Sequence, residues 1–210
     1  IVEVVKKEPD ATIEGICGLI FTDGSRGIFV FNLKEALDRK DEFNPLIMRL
    51  YLSNLAIEDP EVIIKNIGLL HFSYAGQILE QAVFSAAERD PAIALVYTDH
   101  YAHLSYAKWV IERAAWVAAE QYPDVALACV DSYKDQPYAR SVIEKAIRTG
   151  LAQNPGVLLA HVDSYKDLPH AEWVIEQAAL SLATRDPREA FAYIDCYKDK
   201  PYAKAVIEKA

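Results

Sequence analysis

Aspartate and tyrosine residues recur at a fixed interval and are the candidates for binding chemistry in this sequence. An aspartate returns every 32 residues, and a tyrosine follows each one two positions later. A row of carboxylates beside amphipathic rings suits the capture of an extended or helical basic peptide, because charge attracts it and rings supply contact area. The candidate partner-binding residues are Asp99, Tyr101, Asp131, Tyr133, Asp163, Tyr165, Asp195 and Tyr197.

The same two columns also have a structural interpretation. A helix interior does not by itself favour aspartate, so each carboxylate could instead accept hydrogen bonds from a backbone N–H or a tyrosine hydroxyl, forming a ladder. The tyrosines lie at the end of an apolar stripe, which is typical of half-buried core residues. A structural ladder with core tyrosines and an acidic binding groove therefore both remain open.

Two further polar columns accompany them. Lys-Asp pairs at 134, 166 and 198 fall in predicted turns, where solvated charges are expected. A glutamate recurs next to each Val-Ile pair, and helical pairing with a base four positions earlier, such as Arg140 before Glu144, accounts for most of that column. Glu176 is the exception, because position 172 carries a glutamate instead of a base.

Metal binding and catalysis have no adequate set of residues. Asp99, His100 and His103 cluster in sequence, but at a helix end and without a second ligand group, so we expect no metal. No serine, cysteine or lysine has an activating base at a readable spacing, and no phosphate-binding glycine motif occurs. The glycine-rich segment 22–27 is predicted to be a loop between helices. We expect a protein that is not an enzyme and needs no cofactor.

Charge and composition exclude other classes of function. The chain has 22 basic and 31 acidic residues, a net charge of −9, and no run of more than two basic residues, so nucleic acid is not expected as a partner. Its three cysteines, Cys17, Cys129 and Cys196, have no CxxC spacing and fit neither a disulfide framework nor a zinc site. No apolar stretch is long enough for a membrane span or signal peptide, so we expect a cytoplasmic protein.

The elements that position these residues follow from an internal repeat. The segment 130–139 returns at 162–171 and 194–203, and prolines at 91, 123, 155 and 187 keep the same 32-residue interval. A degenerate copy surrounds Asp99, and a copy one residue shorter opens at Asp59-Pro60. Fainter matches extend towards the first residue, giving about six and a half units.

Each unit is predicted to form two helices. A capping residue before proline starts the first helix, whose apolar stripe in one unit is Ala126, Leu127, Val130 and Tyr133. Pro137 breaks the chain, and a second amphipathic helix follows from residue 138, with Val142 and Ile143 in its most regular apolar columns. The clear helices are expected to begin near residues 60, 74, 91, 106, 123, 138, 155, 170, 187 and 202.

One such helix pair cannot bury its apolar face, whereas stacked pairs can. We therefore predict an all-α fold: a right-handed α-solenoid of antiparallel helix pairs with a 32-residue repeat, without a sheet of three or more strands. A single array is expected over residues 1–210, with degenerate units in 1–58 and clear repeats in 59–210. The chain lacks an initiator methionine and stops within a predicted helix, so we expect a piece of a longer chain with possible self-association through terminal repeats.

The unit resembles the helix-turn-helix repeats of the tetratricopeptide and HEAT-like superfamilies over nearly the whole chain. The period here is 32 instead of the tetratricopeptide 34, and the Asp-Pro opening is more similar to short HEAT-type units. Some HEAT-like proteins bind iron through His-Glu pairs, and none of the five histidines here is followed by glutamate. The resemblance implies a non-catalytic scaffold for protein–protein interaction or assembly. The alternative is a regulatory or substrate-docking domain of a larger enzyme whose catalytic part lies outside this chain.

Overall fold

A computed structural model describes residues 15–20, 26–31, 37 and 45–210. The chain divides into two compact units, Ile1–Ala86 and Ala87–Ala210. From residue 45 onwards the described chain is helical, with helices packing sequentially on their neighbours. The sequence places its change from degenerate to clear repeats after residue 58, whereas the compact units meet after residue 86.

The first unit contains a β-hairpin, which the sequence analysis does not predict. Strand β1, Gly15–Ile20, pairs antiparallel with strand β2, Arg26–Phe31, from Gly15 opposite Phe31 to Ile20 opposite Arg26. Degenerate helical units are therefore wrong for these two strands. Of the segment 22–27, predicted to be a loop between helices, residues 26 and 27 belong to β2 and the others lie outside the described residues. The physical reason is the β-branched and aromatic content of β2, which favours strand. The other residues before 45, apart from residue 37, lie outside the described part of the chain.

Between residues 45 and 89 the structure has three α-helices. They are α1 at Pro45–Glu58, α2 at Pro60–Lys65 and α3 at Ala75–Arg89, and the boundary between the units falls within α3. Helix α2 begins at its proline, whose missing N–H costs nothing in the first turn. Helix α1 packs on α2, and the Ser85 hydroxyl of α3 donates to the Ile57 carbonyl of α1 at 3.1 Å.

The second unit alternates short and long helices. Each of its six-residue helices begins at a proline and leads into a three-residue 3₁₀ turn. A fifteen-residue helix follows each such turn but the last, after which α11 has seven residues. The short helices are α4 at Pro91–Val96, α6 at Pro123–Ala128, α8 at Pro155–Ala160 and α10 at Pro187–Ala192. The others are α5 at Ala107–Gln121, α7 at Ala139–Gln153, α9 at Ala171–Arg185 and α11 at Ala203–Lys209.

These starts confirm the ten predicted helix beginnings to within one residue. The predicted extent of the first helix in each unit is wrong, however, because α6 ends at Ala128 while its apolar stripe continues to Tyr133. Those last stripe residues belong to a 3₁₀ turn at Val130–Ser132 and to the turn after it. The tighter turn brings the Tyr133 ring back over the short helix, where its hydroxyl bonds the Ala126 carbonyl.

Packing in the second unit forms two layers. The long helices α5, α7 and α9 pack in order in one layer, and the short helices α4, α6 and α8 pack in order in the other. Close approach between the layers depends on Gly150 of α7. A Cβ atom there would lie 2.8 Å from Leu158 Cδ2 of α8, nearer than van der Waals contact allows.

Burial of two apolar columns depends on the following helix pair. Leu95, Leu127 and Leu159 are buried, as are Ile111, Ile143 and Ile175. In the last described pair the equivalent residues, Phe191 and Ile207, are 45 and 43% exposed. The predicted apolar edge is therefore present at these two residues, although Val206, expected to share it, is buried. Self-association through that edge stays a prediction.

Truncation of Ile143 tests this packing. Ile143→Ala should lower the free energy of unfolding by about 2–5 kcal/mol, because it removes a side chain buried between helices. Urea denaturation followed by circular dichroism measures the loss. The control is Val96→Ala on an exposed position of α4, which should change the same quantity by less than about 0.5 kcal/mol. Equal effects of the two changes would contradict the packing described.

Candidate functional site

The four candidate tyrosines are core residues. Only 0 to 2% of each residue is exposed, and each hydroxyl donates a hydrogen bond to a backbone carbonyl seven residues earlier in a short helix. The four bonds are Tyr101 to Ala94 at 2.6 Å, Tyr133 to Ala126 at 2.6 Å, Tyr165 to Leu158 at 2.8 Å and Tyr197 to Ala190 at 2.6 Å. Rings buried so completely offer a partner almost no contact area, which favours the core interpretation over a row of binding tyrosines. Of the four, Tyr165 alone lines the groove described below.

Burial also changes the acidity of these rings. Removal from water raises the pKa of Tyr101, Tyr133 and Tyr165 far above the ordinary value of 10.0, because the ionised phenolate would be poorly solvated. The same cause raises the pKa of Tyr138 and Tyr202 to about 12, with nearby glutamates adding to it. These groups stay protonated and serve as hydrogen-bond donors or apolar surface at neutral pH.

The candidate aspartates lie on the surface. Asp131, Asp163 and Asp195 each occupy the middle of a 3₁₀ turn, and their side chains are 89, 92 and 84% exposed. Asp99 has the same place in the turn Thr98–His100 and is also exposed. The prediction that these residues lie inside an α-helix is wrong. The ladder is wrong too, because the tyrosine hydroxyls bond carbonyl groups, and not these carboxylates.

Each of the last three aspartates accepts a hydrogen bond from a lysine three residues later. The distances from lysine Nζ to aspartate Oδ1 are 2.8 Å for Lys134, 2.9 Å for Lys166 and 2.6 Å for Lys198. The bond raises the pKa of each lysine, because the adjacent carboxylate stabilises the ammonium form. Such exposed pairs contribute little to stability and can exchange partners. At Asp99 the equivalent position is Ala102, so this lysine is missing.

A second set of hydrogen bonds holds the turns in place from one helix pair to the next. The Ser132 hydroxyl donates to the Leu95 carbonyl at 2.8 Å, and the Ser164 hydroxyl donates to the Leu127 carbonyl at the same distance. The Cys196 thiol makes the equivalent contact with the Leu159 carbonyl at 3.5 Å. The sequence analysis does not single out these residues, although a serine or cysteine directly follows each of the last three aspartates. They fix the position of each exposed carboxylate relative to the preceding pair.

An open groove lies between two successive turns of the second unit. Its volume is about 470 Å³, and its charged lining consists of three carboxylates and one ammonium group. The rest of the lining consists of apolar side chains together with Ser164 and Tyr165, so the groove offers both negative charge and apolar contact. The charged residues are Asp131, Lys134, Asp163 and Asp167, and the apolar residues include Leu127, Val130, Ile143 and Leu168.

Other ion pairs lie within a long helix or join two successive long helices. Arg140 pairs with Glu144 at 2.9 Å within α7, as its four-residue spacing predicts. Arg113 pairs with Glu88 at 2.6 Å, and Lys145 pairs with Glu120 at 3.3 Å. Both of the latter pairs span 25 residues, so they link successive long helices instead of turns of one helix. The sequence does not predict these two ion pairs, because four-residue spacing indicates pairing only within one helix.

The described part of the chain contains no candidate metal centre. Among those residues no three histidine, cysteine, aspartate or glutamate side chains converge. His100 packs edge-on against the ring of Tyr97, with ring centroids 5.6 Å apart, which is a packing role. Burial raises the pKa of the Cys129 and Cys196 thiols, so neither is activated as a thiolate. Within the same part of the chain, every helix is too short or too polar to cross a lipid bilayer.

The chain matches no protein-family model, no curated protein and no solved structure. The resemblance to tetratricopeptide and HEAT-like repeats therefore stays a prediction from the sequence pattern.

Removal of one tyrosine hydroxyl tests the structural assignment of the tyrosine column. Tyr133→Phe should lower the free energy of unfolding by about 1–3 kcal/mol, because it deprives the buried Ala126 carbonyl of its donor. Chemical denaturation measures the change. Tyr122→Phe alters an exposed ring and should have almost no effect. A Tyr133→Phe protein as stable as the Tyr122→Phe control would contradict the assignment.

Alkaline pH should destabilise the fold through its buried tyrosines. Below pH 10 both folded and unfolded chains keep these phenols protonated, so their contribution to stability is fully present there. Above the unfolded pKa of 10.0 the unfolded chain releases protons that the folded chain retains, and the free energy of unfolding falls as pH rises through about 12, the pKa of Tyr138 and Tyr202.

Denaturation at a series of alkaline pH values, with tyrosinate absorbance followed in parallel, measures this fall. The Tyr133→Phe protein has one fewer buried phenol and should lose less stability over the same interval. An equal loss in both proteins would show that other groups cause the alkaline transition.

Proposed function

We propose that residues 87–210 form a non-catalytic scaffold for protein–protein interaction, built as a right-handed α-solenoid with a 32-residue repeat. Equivalent tyrosine hydroxyl bonds at 101, 133, 165 and 197 support the repeat, since each connects the same two positions of its unit. The serine and cysteine bonds support sequential stacking, since each spans 37 residues to the preceding pair. In this proposal the protein acts in the cytoplasm, as a helical-repeat protein of the HEAT-like or tetratricopeptide-like kind.

The observation that carries the proposal is the aspartate row, which consists of Asp99, Asp131, Asp163 and Asp195. These carboxylates repeat at the surface although they make no buried contact that folding requires. The lysines that bond Asp131, Asp163 and Asp195 are exposed and easily displaced. A guanidinium group of a bound protein can therefore replace the lysine and form a bidentate bond with the carboxylate. The groove between the turns at 131 and 163 adds an apolar surface for the stem of such a side chain.

The partner in this proposal is an extended protein segment with regularly spaced basic residues. Neighbouring packed helices lie about 8–10 Å apart, so successive members of the aspartate row should have a similar separation. A segment in the extended polyproline II conformation has three residues per turn and advances about 3.1 Å per residue, so basic side chains three residues apart point to the same side and match that separation. The repulsion of phosphate by a chain of net charge −9 makes a nucleic acid a poor competitor.

Binding of defined peptides tests this function. The probe is a fluorescent peptide with arginine at every third position. It is compared with a peptide of the same composition whose arginines stand at every second position, and with a peptide in which uncharged citrulline replaces arginine. Fluorescence anisotropy should show the first peptide binding most tightly, with affinity falling steeply as salt is added. Equal binding of the two arginine peptides would contradict the match between arginine spacing and the aspartate row. Equal binding of the citrulline peptide would contradict an electrostatic basis for recognition.

The double change Asp131→Asn and Asp163→Asn tests the aspartate row itself. It should weaken binding of the every-third-residue peptide by about tenfold or more, because two carboxylates at the groove are lost. The melting temperature should shift by less than about 2 °C, since both side chains bond only exposed lysines.

A control with the same change in net charge is Asp124→Asn with Glu208→Gln, two exposed residues that do not line the groove. This control should bind the peptide as the unchanged protein does. Unchanged binding in the Asp131 and Asp163 double variant would eliminate the aspartate row as the binding surface, whether or not melting is affected.

A further inference from the structure

A second recess in the unit 87–210 is lined by two of the chain's three tryptophans. It has a volume of about 470 Å³ and is formed by Glu88 together with residues of α5. Along α5, Trp109, Glu112, Arg113 and Trp116 are spaced at i, i+3, i+4 and i+7, which places them on one face of the helix. Trp109 is 52% exposed, so part of its indole faces solvent at the recess.

The charges around this recess leave one carboxylate without compensation. Arg113 donates from Nε to Glu88 Oε1 at 2.6 Å and from Nη2 to Glu88 Oε2 at 2.8 Å, so both charges of that bidentate pair are satisfied. Glu112 forms no salt bridge with any residue in the described part of the chain. The lining, with two carboxylates and one guanidinium, therefore carries a net charge of −1, which is complementary to a single cation.

Comparison with the equivalent helices separates packing from binding in this recess. The Arg113–Glu88 pair has a counterpart 32 residues later in Lys145–Glu120, so an inter-helix ion pair is part of how the long helices pack. The tryptophan pair has no such counterpart. Positions 109 and 116 correspond to Ser141 and Arg148 in α7 and to Trp173 and Leu180 in α9. The two positions therefore vary between the long helices, and two indoles beside a carboxylate without a salt bridge occur in α5 but not in α7 or α9.

We propose that this recess binds one arginine side chain of a partner protein. The planar guanidinium stacks on an indole face through cation–π attraction and donates hydrogen bonds to the Glu112 carboxylate. A quaternary ammonium group would satisfy the indoles but has no N–H for Glu112. A lysine ammonium is a strongly hydrated point charge that stacks poorly. The recess shares no lining residue with the groove at the aspartate row, so this proposal stands independently of that one.

The three indole N–H resonances of the full 210-residue chain provide a direct test by nuclear magnetic resonance. The probe is N-acetyl-arginine methylamide, and its titration should shift the Trp109 and Trp116 signals in a saturable manner. Trp173 is exposed but outside the recess, so its signal should not move and serves as an internal control. Equal shifts of all three signals would mean unspecific contact with indoles and would overturn the proposal.

Three related probes define the chemistry that is recognised. N-acetyl-citrulline methylamide, an uncharged analogue of arginine, should produce no saturable shift, because cation–π attraction and the charge-assisted bond are both lost. The lysine and trimethyl-lysine analogues should bind at least about threefold more weakly than arginine. Tighter binding of either analogue, or equal binding of citrulline, would overturn the assignment of arginine.

Variants connect the binding to named side chains. Glu112→Gln should weaken arginine binding by about tenfold, and Trp109→Leu should abolish the saturable shift of Trp116. Both residues are exposed, so melting temperatures should be unchanged, and Trp173→Leu is the matched control that should keep full binding. Binding by Trp109→Leu within about twofold of the unchanged chain would refute the proposal.

The double variant Asp131→Asn and Asp163→Asn distinguishes this proposal from the proposed function. Its arginine titration should match that of the unchanged chain, because neither residue lines the tryptophan recess. Loss of the indole shifts in that variant would mean that the probe binds at the aspartate row, which would overturn the separate site.

Discussion

The hydrogen bond from a buried tyrosine hydroxyl to a short-helix carbonyl is the interaction on which the second unit depends. A six-residue helix is too short to be stable by itself, and most of its stability must come from tertiary packing. Tyr133 supplies that packing for α6, because its ring covers the helix and its hydroxyl bonds the Ala126 carbonyl. Without this bond a buried carbonyl would lose its donor, and the turn at Val130–Ser132 would lose its anchor. The exposed carboxylate of Asp131 is held outward as a consequence.

Coupling between successive helix pairs depends on contacts that span more than one pair. Each pair leaves an apolar column open to the next one, as Phe191 and Ile207 show by their exposure in the last described pair. The Ser132 and Ser164 hydroxyls add a polar connection at the same interface. Stability in such an arrangement is a sum over pairs and over interfaces between them, so a change such as Ile143→Ala acts on one interface without altering the design of the others.

The sequence predicted the helices well where proline and period coincide, because proline at the first helical position is a local signal that packing does not override. It failed at Gly15–Ile20 and Arg26–Phe31, because faint matches to the repeat predict helices over residues that favour strand. An apolar stripe of helical period also does not distinguish an α-helix from a 3₁₀ turn, so the sequence predicts Asp131 inside a helix and leaves two interpretations of Tyr133 open. The tryptophan recess has no comparable signal in the sequence, because Trp109 and Trp116 occur together once and do not recur with the 32-residue period.

Recurrent and single features can contribute differently to binding in the proposed scaffold. A member of the aspartate row offers only a weak, salt-screened contact, but equally spaced contacts on one rigid array act at high effective concentration once the first is made. Such a row favours a basic segment without fixing its register, because a shift by one repeat unit gives an equivalent set of contacts. A recess that occurs once, at Trp109 and Glu112, breaks that equivalence. An arginine held there would have a single position, so the two surfaces differ in kind: the row would supply affinity through repeated weak contacts, and the recess would supply one defined contact.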